Sequence, residues 1–459
     1  MFNIIIAIIR SKIIAVLLGP TGMGIMGLLS STVGMIGSLT NFGLGTSAVK
    51  DIAAANASDD QTRVAEKVTV LRRLVWLTGL LGALLVLVLS PWLSQVSFGN
   101  DSQTLGFAWL SITLLLTQLS SGQLVILQGM RRLRDLAKAS LCGSALGLVV
   151  TVPLYYIWGL EGIVPGMIGT SLLVLSLSWY FSRSVTLPRV TVSMSQTWAT
   201  GNDMMRMGFL ISLSGLLTTG GAYLVRVFIS QTGGIADVGL YSAGFAIINT
   251  YVGLIFNAMG TDYYPRLAAV AHDNELCRQT INQQVEIAIL ILGPILILFL
   301  ICAEWVIILL YSEQFLPITE MLYWAALGMF FKAASWAIGF LFLAKSESRL
   351  FFVSELLVTV YMLGFNLLGY YYLGFTGLGV SFLFSYFLYF MQIYAIVKNK
   401  FYFIFNKINK HVLIVQIFLF LMSFVMIKID KFQFAFIFVI VSFVYSFFKI
   451  YIKIDLKNR

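Results

Sequence analysis

Apolar runs of about 20 residues, each closed by a short polar or glycine-containing break, recur along the whole chain. That is the length an α-helix needs to cross a bilayer, and the pattern predicts about fourteen such helices. Six lie at approximately 2–18, 23–49, 71–95, 104–127, 137–158 and 161–182. A polar stretch at 183–205 separates them from six more at approximately 207–231, 238–262, 283–311, 318–343, 352–373 and 377–397. Two further runs, near 411–428 and 432–452, close the chain. The predicted class is an all-α polytopic membrane protein.

The pattern repeats at an offset of about 215 residues. Tyr155–Ile163, YYIWGLEGI, answers Tyr370–Leu378, YYYLGFTGL, with Gly159 and Gly162 over Gly374 and Gly377. Gly24 falls over Gly239 and Trp109 over Trp324. Six spans per copy is an even number, so both copies enter the membrane the same way, related by an axis along its normal, with a cavity expected between them. The expected division is a first lobe at 1–182, a linker at 183–205, a second lobe at 206–397 and an added hairpin with tail at 398–459. That tail is rich in Phe, Ile and Lys, poor in Gly, and has no counterpart in the repeat.

Composition agrees with the pattern: of 459 residues, 59% are hydrophobic and 11% charged, and mean hydropathy is +0.90. The net charge of +10 does not indicate nucleic acid, because the bases sit in short clusters between apolar runs. They read as orientation signals instead. Connections after even-numbered spans hold Arg63, Lys67, Arg72 and Arg73, then Arg131, Arg132, Arg134 and Lys138, and so on through Arg183, Arg189, Arg266, Arg278, Lys345, Arg349, Lys398, Lys400, Lys407 and Lys410. Connections after odd-numbered spans carry Asp101, Glu161, Asp237, Glu313 and Glu320, with Lys428 and Lys431 as exceptions. Both termini are therefore expected in the cytoplasm, the last with Lys449, Lys453, Lys457 and Arg459. The first run continues past Arg10 and Lys12 without a small-residue cleavage site, so it reads as a retained span.

Enzyme and cofactor signals are weak. Cys142, Cys277 and Cys302 have no paired spacing, and His272 and His411 lie in connections. Gly22, Gly24 and Gly27 spell a dinucleotide-type glycine pattern, but between two apolar runs and without the acidic residue that would meet a ribose. They serve better as close-approach points between helices. There is no Walker-type nucleotide loop, and the connections are too short for a catalytic domain. The chain is read as a non-enzyme without cofactor or metal.

The sharp signal is charge inside spans. Arg10 and Lys332 lie deep in the first and tenth runs, Lys12 and Arg226 nearer their ends. A charge at the centre of a membrane helix costs about 2.5–3.5 kcal/mol even on an insertion scale, which requires a partner or a wet cavity. Cavity lining is one reading. Pairing with Glu286, Glu304 or Glu355, or snorkelling of Lys12 and Arg226 toward the interface, is the other. Thr40, Asn41, Thr46 and Ser47 in the second run answer Asn249, Thr250, Asn257 and Thr261 in the eighth, with Asn249 and Asn257 nearly on one helical face. They form either a wet wall for sugar hydroxyls or simple bridges between helices.

The opening RSKIIAVLLGPTGMGIMGLLSS, the Gly-rich second run ending GLGTSAVKDIA and the YYIWGLEGI segment resemble bacterial O-antigen flippases, the Wzx-type polysaccharide transporters of the MOP exporter superfamily. The resemblance covers most of the chain. It implies two six-helix lobes forming a V around a cationic cavity, alternating access, and undecaprenyl-diphosphate-linked oligosaccharide as cargo in the bacterial inner membrane. Arg10 and Lys12 fall where relatives place first-span bases. The first span is shorter than in typical relatives, and the hairpin adds two spans to the twelve of many. Lipid II flippases of the same superfamily also have fourteen.

The expected function is translocation of such a unit from the cytoplasmic to the periplasmic leaflet. Expected substrate-binding residues are Arg10, Lys12, Arg226, Lys332, Asn41, Asn249 and Asn257, and Asp262, Glu286, Glu304 and Glu355 are the acids available for ion coupling. Membrane lipid, a glycan polymerase and chain-length proteins are the expected partners. A MATE-type multidrug exporter, a lipid II exporter and a non-transporting scaffold for glycan-assembly enzymes are the alternatives.

Overall fold

The computed structural model describes the backbone of all residues except Met1, Asp59, Arg189 and Arg459. It describes the side chains of all but these and Phe2, Asn3, Ile4, Asp203, Arg206, Met207, Leu210, Ile211, Ser214, Thr250, Tyr251, Leu254 and 453–458. The expectations placed on Arg189, Thr250, Lys453, Lys457 and Arg459 therefore lie outside the described residues.

Two compact units make up the chain, Met1–Gly239 and Leu240–Arg459. The first contains α1 (Phe2–Thr40), α2 (Leu44–Ala57), α3 (Gln61–Phe98), α4 (Thr104–Gly129), α5 (Leu133–Trp158), α6 (Ile163–Ser182) and α7 (Met194–Thr232). α8 (Ile235–Ala246) begins at its end. The second continues through a π-helical turn at Ile247–Tyr251 to α9 (Gly253–Ala269), α10 (Asn274–Leu310), α11 (Thr319–Ala344), α12 (Ser348–Phe401), α13 (Lys407–Lys428) and α14 (Phe432–Asn458). No strand occurs among the described residues.

Among the described residues, nine helical stretches are long and apolar enough to cross a membrane, and three of them are broken at a glycine. Leu133–Ser182 and Ser348–Phe401 run for 50 and 54 residues, more than twice the roughly 20 a crossing needs. Each is broken at a glycine, Gly159 (φ 56, ψ −128) and Gly374 (φ 58, ψ −136), and α1 is broken in the same way at Gly19 (φ 61, ψ −167). That region of backbone space is essentially closed to side chains. Counting each broken stretch as two and adding α7 and the α8–α9 pair, which are not among those nine, gives fourteen segments, the number that the hydropathy pattern predicts.

The repeat is visible in the backbone. Gly159 and Gly374 stand 215 residues apart, as do the positive-φ pair Gly19 and Gly234 and the positive-φ pair Arg131 and Ser346. Within the α5–α6 hairpin a carbon added at Gly162 would lie 2.4 Å from the Leu154 carbonyl oxygen. At the equivalent Gly377 it would lie 1.8 Å from that of Gly369. Gly24 and Gly239 make a reciprocal contact: an added carbon would sit 1.9 Å from the Ile235 oxygen in one case and 1.8 Å from the Pro20 oxygen in the other. Pro20 and Ile235 are themselves repeat-equivalent. Only glycine permits backbones to cross so closely.

The polar stretch at 183–205 differs from a plain linker, because it becomes helical at Met194. Ser193 and Gln196 form a capping box there, satisfying the first free N–H groups of α7. Arg73 of α3 donates to the Val192 carbonyl at 2.8 Å and to Thr197 Oγ1 at 2.7 Å. Farther along, Gly208 of α7 meets the backbone of Phe42 and Gly43, both at positive φ in the break between α1 and α2. α7 thus packs on α1, α2 and α3 within the first unit, and the compact units divide at Gly239, whereas the expected lobe boundary is near residue 206.

The last two helices dock on α10. Gln416 of α13 is fully buried, lies against Gly293, donates to Ser446 at 2.9 Å and accepts from Ser442 at 2.6 Å. Asn282 of α10 accepts from the Asn406 N–H at 3.1 Å and from the Asn409 amide at 2.8 Å. In an apolar surround such pairs fix register, since an unpaired carboxamide would be costly.

Candidate substrate cavity

Inside the first unit a cavity of about 710 Å³ opens between α1, α4 and α6. α1 contributes Arg10 and Ser11 before its break, then Ser30, Gly34, Gly37 and Ser38 after it, with Asn41 in the break beyond. Residues 30, 34, 37, 38 and 41 follow the three- and four-residue spacing of one helical face. α4 presents Thr113, Thr117, Gln118 and Ser121 by the same rule, and α6 presents Thr170 and Ser171. Among the described residues, Arg10 is the one charged residue lining it.

Arg10 is half-buried, and its Nε has no hydrogen-bond partner among the described residues. Its guanidinium reaches the buried Tyr155 hydroxyl, which in turn donates to Met26 Sδ at 3.8 Å. Tyr155 therefore holds one side of the fork, and Arg10 also lines the cavity, with its Nε buried. Several lining hydroxyls bond back to their own helix, Thr117 to the Thr113 carbonyl at 2.9 Å and Thr170 to the Gly166 carbonyl at 2.8 Å. A hydroxyl so used keeps its lone pairs as acceptors. Gln118 donates to Thr78 at 3.0 Å, and Asn41 accepts from Ser212 at 2.7 Å and from the Gly43 N–H at 2.8 Å. Asn41 thus lines the cavity and also secures the break between α1 and α2.

The other expected residues fall in three places. Lys12 is half-buried on α1 outside this lining, and Arg226 on α7 donates to the Ala222 carbonyl of its own helix at 3.0 Å. Lys332 and Asn249 are brought together in the second unit: Nζ donates to Asn249 Oδ1 at 2.7 Å and lies 5.0 Å from the Tyr386 ring centre and 5.5 Å from that of Phe382. Asn257 is exposed, and the π-helical turn at Ile247–Tyr251 holds Asn249 and precedes the helix that carries Asn257. The supposed wet wall of the second run is also reduced. Thr40 and Ser47 are buried and bond to the carbonyls of Ile36 and Gly43, and Thr46 is exposed away from the cavity lining.

The acids do not neutralise the deep bases, since neither Arg10 nor Lys332 has an ion pair among the described residues. Asp262 pairs with Arg266 at 2.8 Å on an exposed face, and Glu304 is exposed. Glu286 is buried and lines a separate polar cavity with Asn282 and Asn406. Glu355 accepts from the Tyr389 hydroxyl at 2.5 Å. The α4 and α6 hydroxyls are absent from the sequence expectations; the signal that finds them is polar residues at 113, 117 and 121, four apart within an apolar run.

Residues 13–320 match the model of the family described as polysaccharide biosynthesis protein. This chain belongs to that family. A family relative, the lipid III flippase of Escherichia coli (strain K12), is 20% identical over 355 residues, which cover 75% of this chain and 82% of the relative. The Shigella flexneri lipid III flippase matches to the same extent. Among solved structures, lipid II flippase MurJ in its inward closed conformation superimposes with a TM-score of 0.72 at 12% identity, covering 99% of this chain and 98% of MurJ. An inward-facing MATE multidrug transporter of the MOP superfamily gives 0.71 at 16% identity, covering 87% and 96%. The fold of this family member is that of the MOP transporters. Chemically, its first-unit cavity offers one planar cation suited to a phosphate and many uncharged groups suited to hydroxyls.

Proposed function

We propose that this protein is a flippase for undecaprenyl-diphosphate-linked oligosaccharide, an O-antigen repeat unit or a similar surface-glycan unit, moved from the cytoplasmic to the periplasmic leaflet of a bacterial inner membrane. The observation that carries the reading is Arg10, a guanidinium deep in an apolar helix, facing a hydroxyl-lined cavity with part of its donor set unused. Arg10 binds the diphosphate by charge-assisted hydrogen bonds, and the α1, α4 and α6 hydroxyls meet the sugars. Lys12, Arg226 and the Lys332–Asn249 pair are secondary anchors along the path. The repeats at 1–182 and 206–397 act as the alternating lobes, both termini face the cytoplasm, and a glycan polymerase and chain-length proteins take up the product. Family membership and the lipid III flippase relatives support this class of cargo.

The direction is electrically favourable. A diphosphate diester carries about two negative charges, and an inside-negative potential contributes about 2.3 kcal/mol per charge per 100 mV to outward movement. Multidrug export is disfavoured by the same cavity, because the one charge among its described lining residues is positive and would repel organic cations. The test is expression in a flippase-deletion host, with surface glycan and lipid-linked sugar units measured in the same cells. Restored glycan with drained lipid-linked units is the expected result. Full membrane expression with units still accumulated, across several glycan backgrounds, would refute the reading.

A further inference from the structure

The flippase reading is the basis here, and the cavity narrows its cargo. Gly34 and Gly37 lie three residues apart on the cavity face of α1, and a carbon added at either meets no atom within 4 Å. Two other glycines on the same helix behave differently: at Gly22 an added carbon would meet Leu18 at 2.2 Å, and at Gly24 it would meet the Ile235 oxygen at 1.9 Å. Gly22 and Gly24 permit close packing, whereas Gly34 and Gly37 permit nothing that the protein itself fills. Glycine within a helix is less stable than alanine. The room these two leave in the cavity is the gain that offsets it.

We infer that this cavity takes a short oligosaccharide of uncharged sugars, with its diphosphate on Arg10, and that Gly34 and Gly37 set the size limit. Arg10 is the single charged residue among the described residues of the lining, and the diphosphate engages it. A sugar carboxylate beside it would be taken from water without a partner, which is far costlier than burying a hydroxyl among hydroxyls. Volume gives the length: 710 Å³ lies within the ordinary range for ligand sites of about 300–1,000 Å³, enough for a few sugar rings.

The test uses the full chain in a flippase-deletion host supplied with three lipid-linked units: a neutral trisaccharide, the same trisaccharide with one hexose replaced by a uronic acid, and a single neutral sugar. Wild type is expected to drain the neutral trisaccharide at least about tenfold faster than the acidic one. Gly34→Leu and Gly37→Leu, at wild-type membrane level, are expected to lose trisaccharide transport by a similar factor and keep that of the single sugar. Equal handling of acidic and neutral units, or Leu variants that move the trisaccharide normally or lose both sizes alike, would overturn the inference. A wild type that moves none of the three overturns the flippase reading and this inference with it.

Discussion

Arg10 in the first unit and Lys332 in the second are both bases deep in apolar helices, yet their surroundings are opposite. Arg10 faces a cavity floored by glycines and hydroxyls and keeps a buried N–H unused. Lys332 is bonded to Asn249 and covered by the rings of Tyr386 and Phe382. Around it α11 is filled with aromatics, Phe331 on Phe387 at 5.1 Å and Trp336 on Phe256 at 5.4 Å. The two repeats share their turns, down to matched positive-φ residues, but not their interiors. Duplication preserved the backbone breaks, which few residues can make, and left the side chains between them free to diverge. Of these two bases, Arg10 lines the cavity, and Lys332 is held by a side-chain amide and two rings.

The sharpest way to break this contrast is to remove the two bases in turn. Arg10→Ala should lower transport by about 10- to 100-fold, the worth of one lost charged hydrogen bond at about 1.5–3 kcal/mol, with membrane level unchanged. Lys332→Ala should act first on stability, by about 1–3 kcal/mol as the Asn249 oxygen loses its donor, and less on transport. Thermal unfolding in detergent beside a transport assay separates the two effects. A larger transport loss for Lys332→Ala than for Arg10→Ala would reverse the roles assigned here.

The shared backbone makes a second, smaller prediction. Gly24→Ala and Gly239→Ala each press a carbon onto the other repeat's carbonyl, and each should cost about 1–3 kcal/mol. The two losses should agree within error, and a loss at one position alone would show that the reciprocal contact is not shared. Gly159→Ala and Gly374→Ala should likewise match each other, at about 1–3 kcal/mol for forcing a side chain into that backbone region. Asn257→Ala, on an exposed face, should change neither stability nor transport by a measurable amount.

Much of the fold is legible in the sequence, because bilayer thickness fixes the length of apolar runs and because turn glycines survive duplication. The capping box at Ser193 and Gln196 is legible too, but it lies in a polar stretch whose composition reads as linker. Arg10 stands out from the sequence since a deep charge demands an explanation. Its cavity does not: Thr113, Thr117 and Ser121 carry a spacing that also suits hydroxyls bonded only to their own helix. Asn249 as the partner of Lys332 depends on a contact across 83 residues and on a π-helical turn, and neither has a local signature.

The central claim is that Arg10 binds the diphosphate of a lipid-linked glycan on its way across the membrane. Purified wild type and Arg10→Ala in proteoliposomes loaded with undecaprenyl-diphosphate-linked oligosaccharide test it most directly, with exposure of the sugar to an external glycosidase as the readout. Fast exposure with wild type and near-background exposure with a folded Arg10→Ala is the predicted outcome. Equal rates for the two proteins would contradict it.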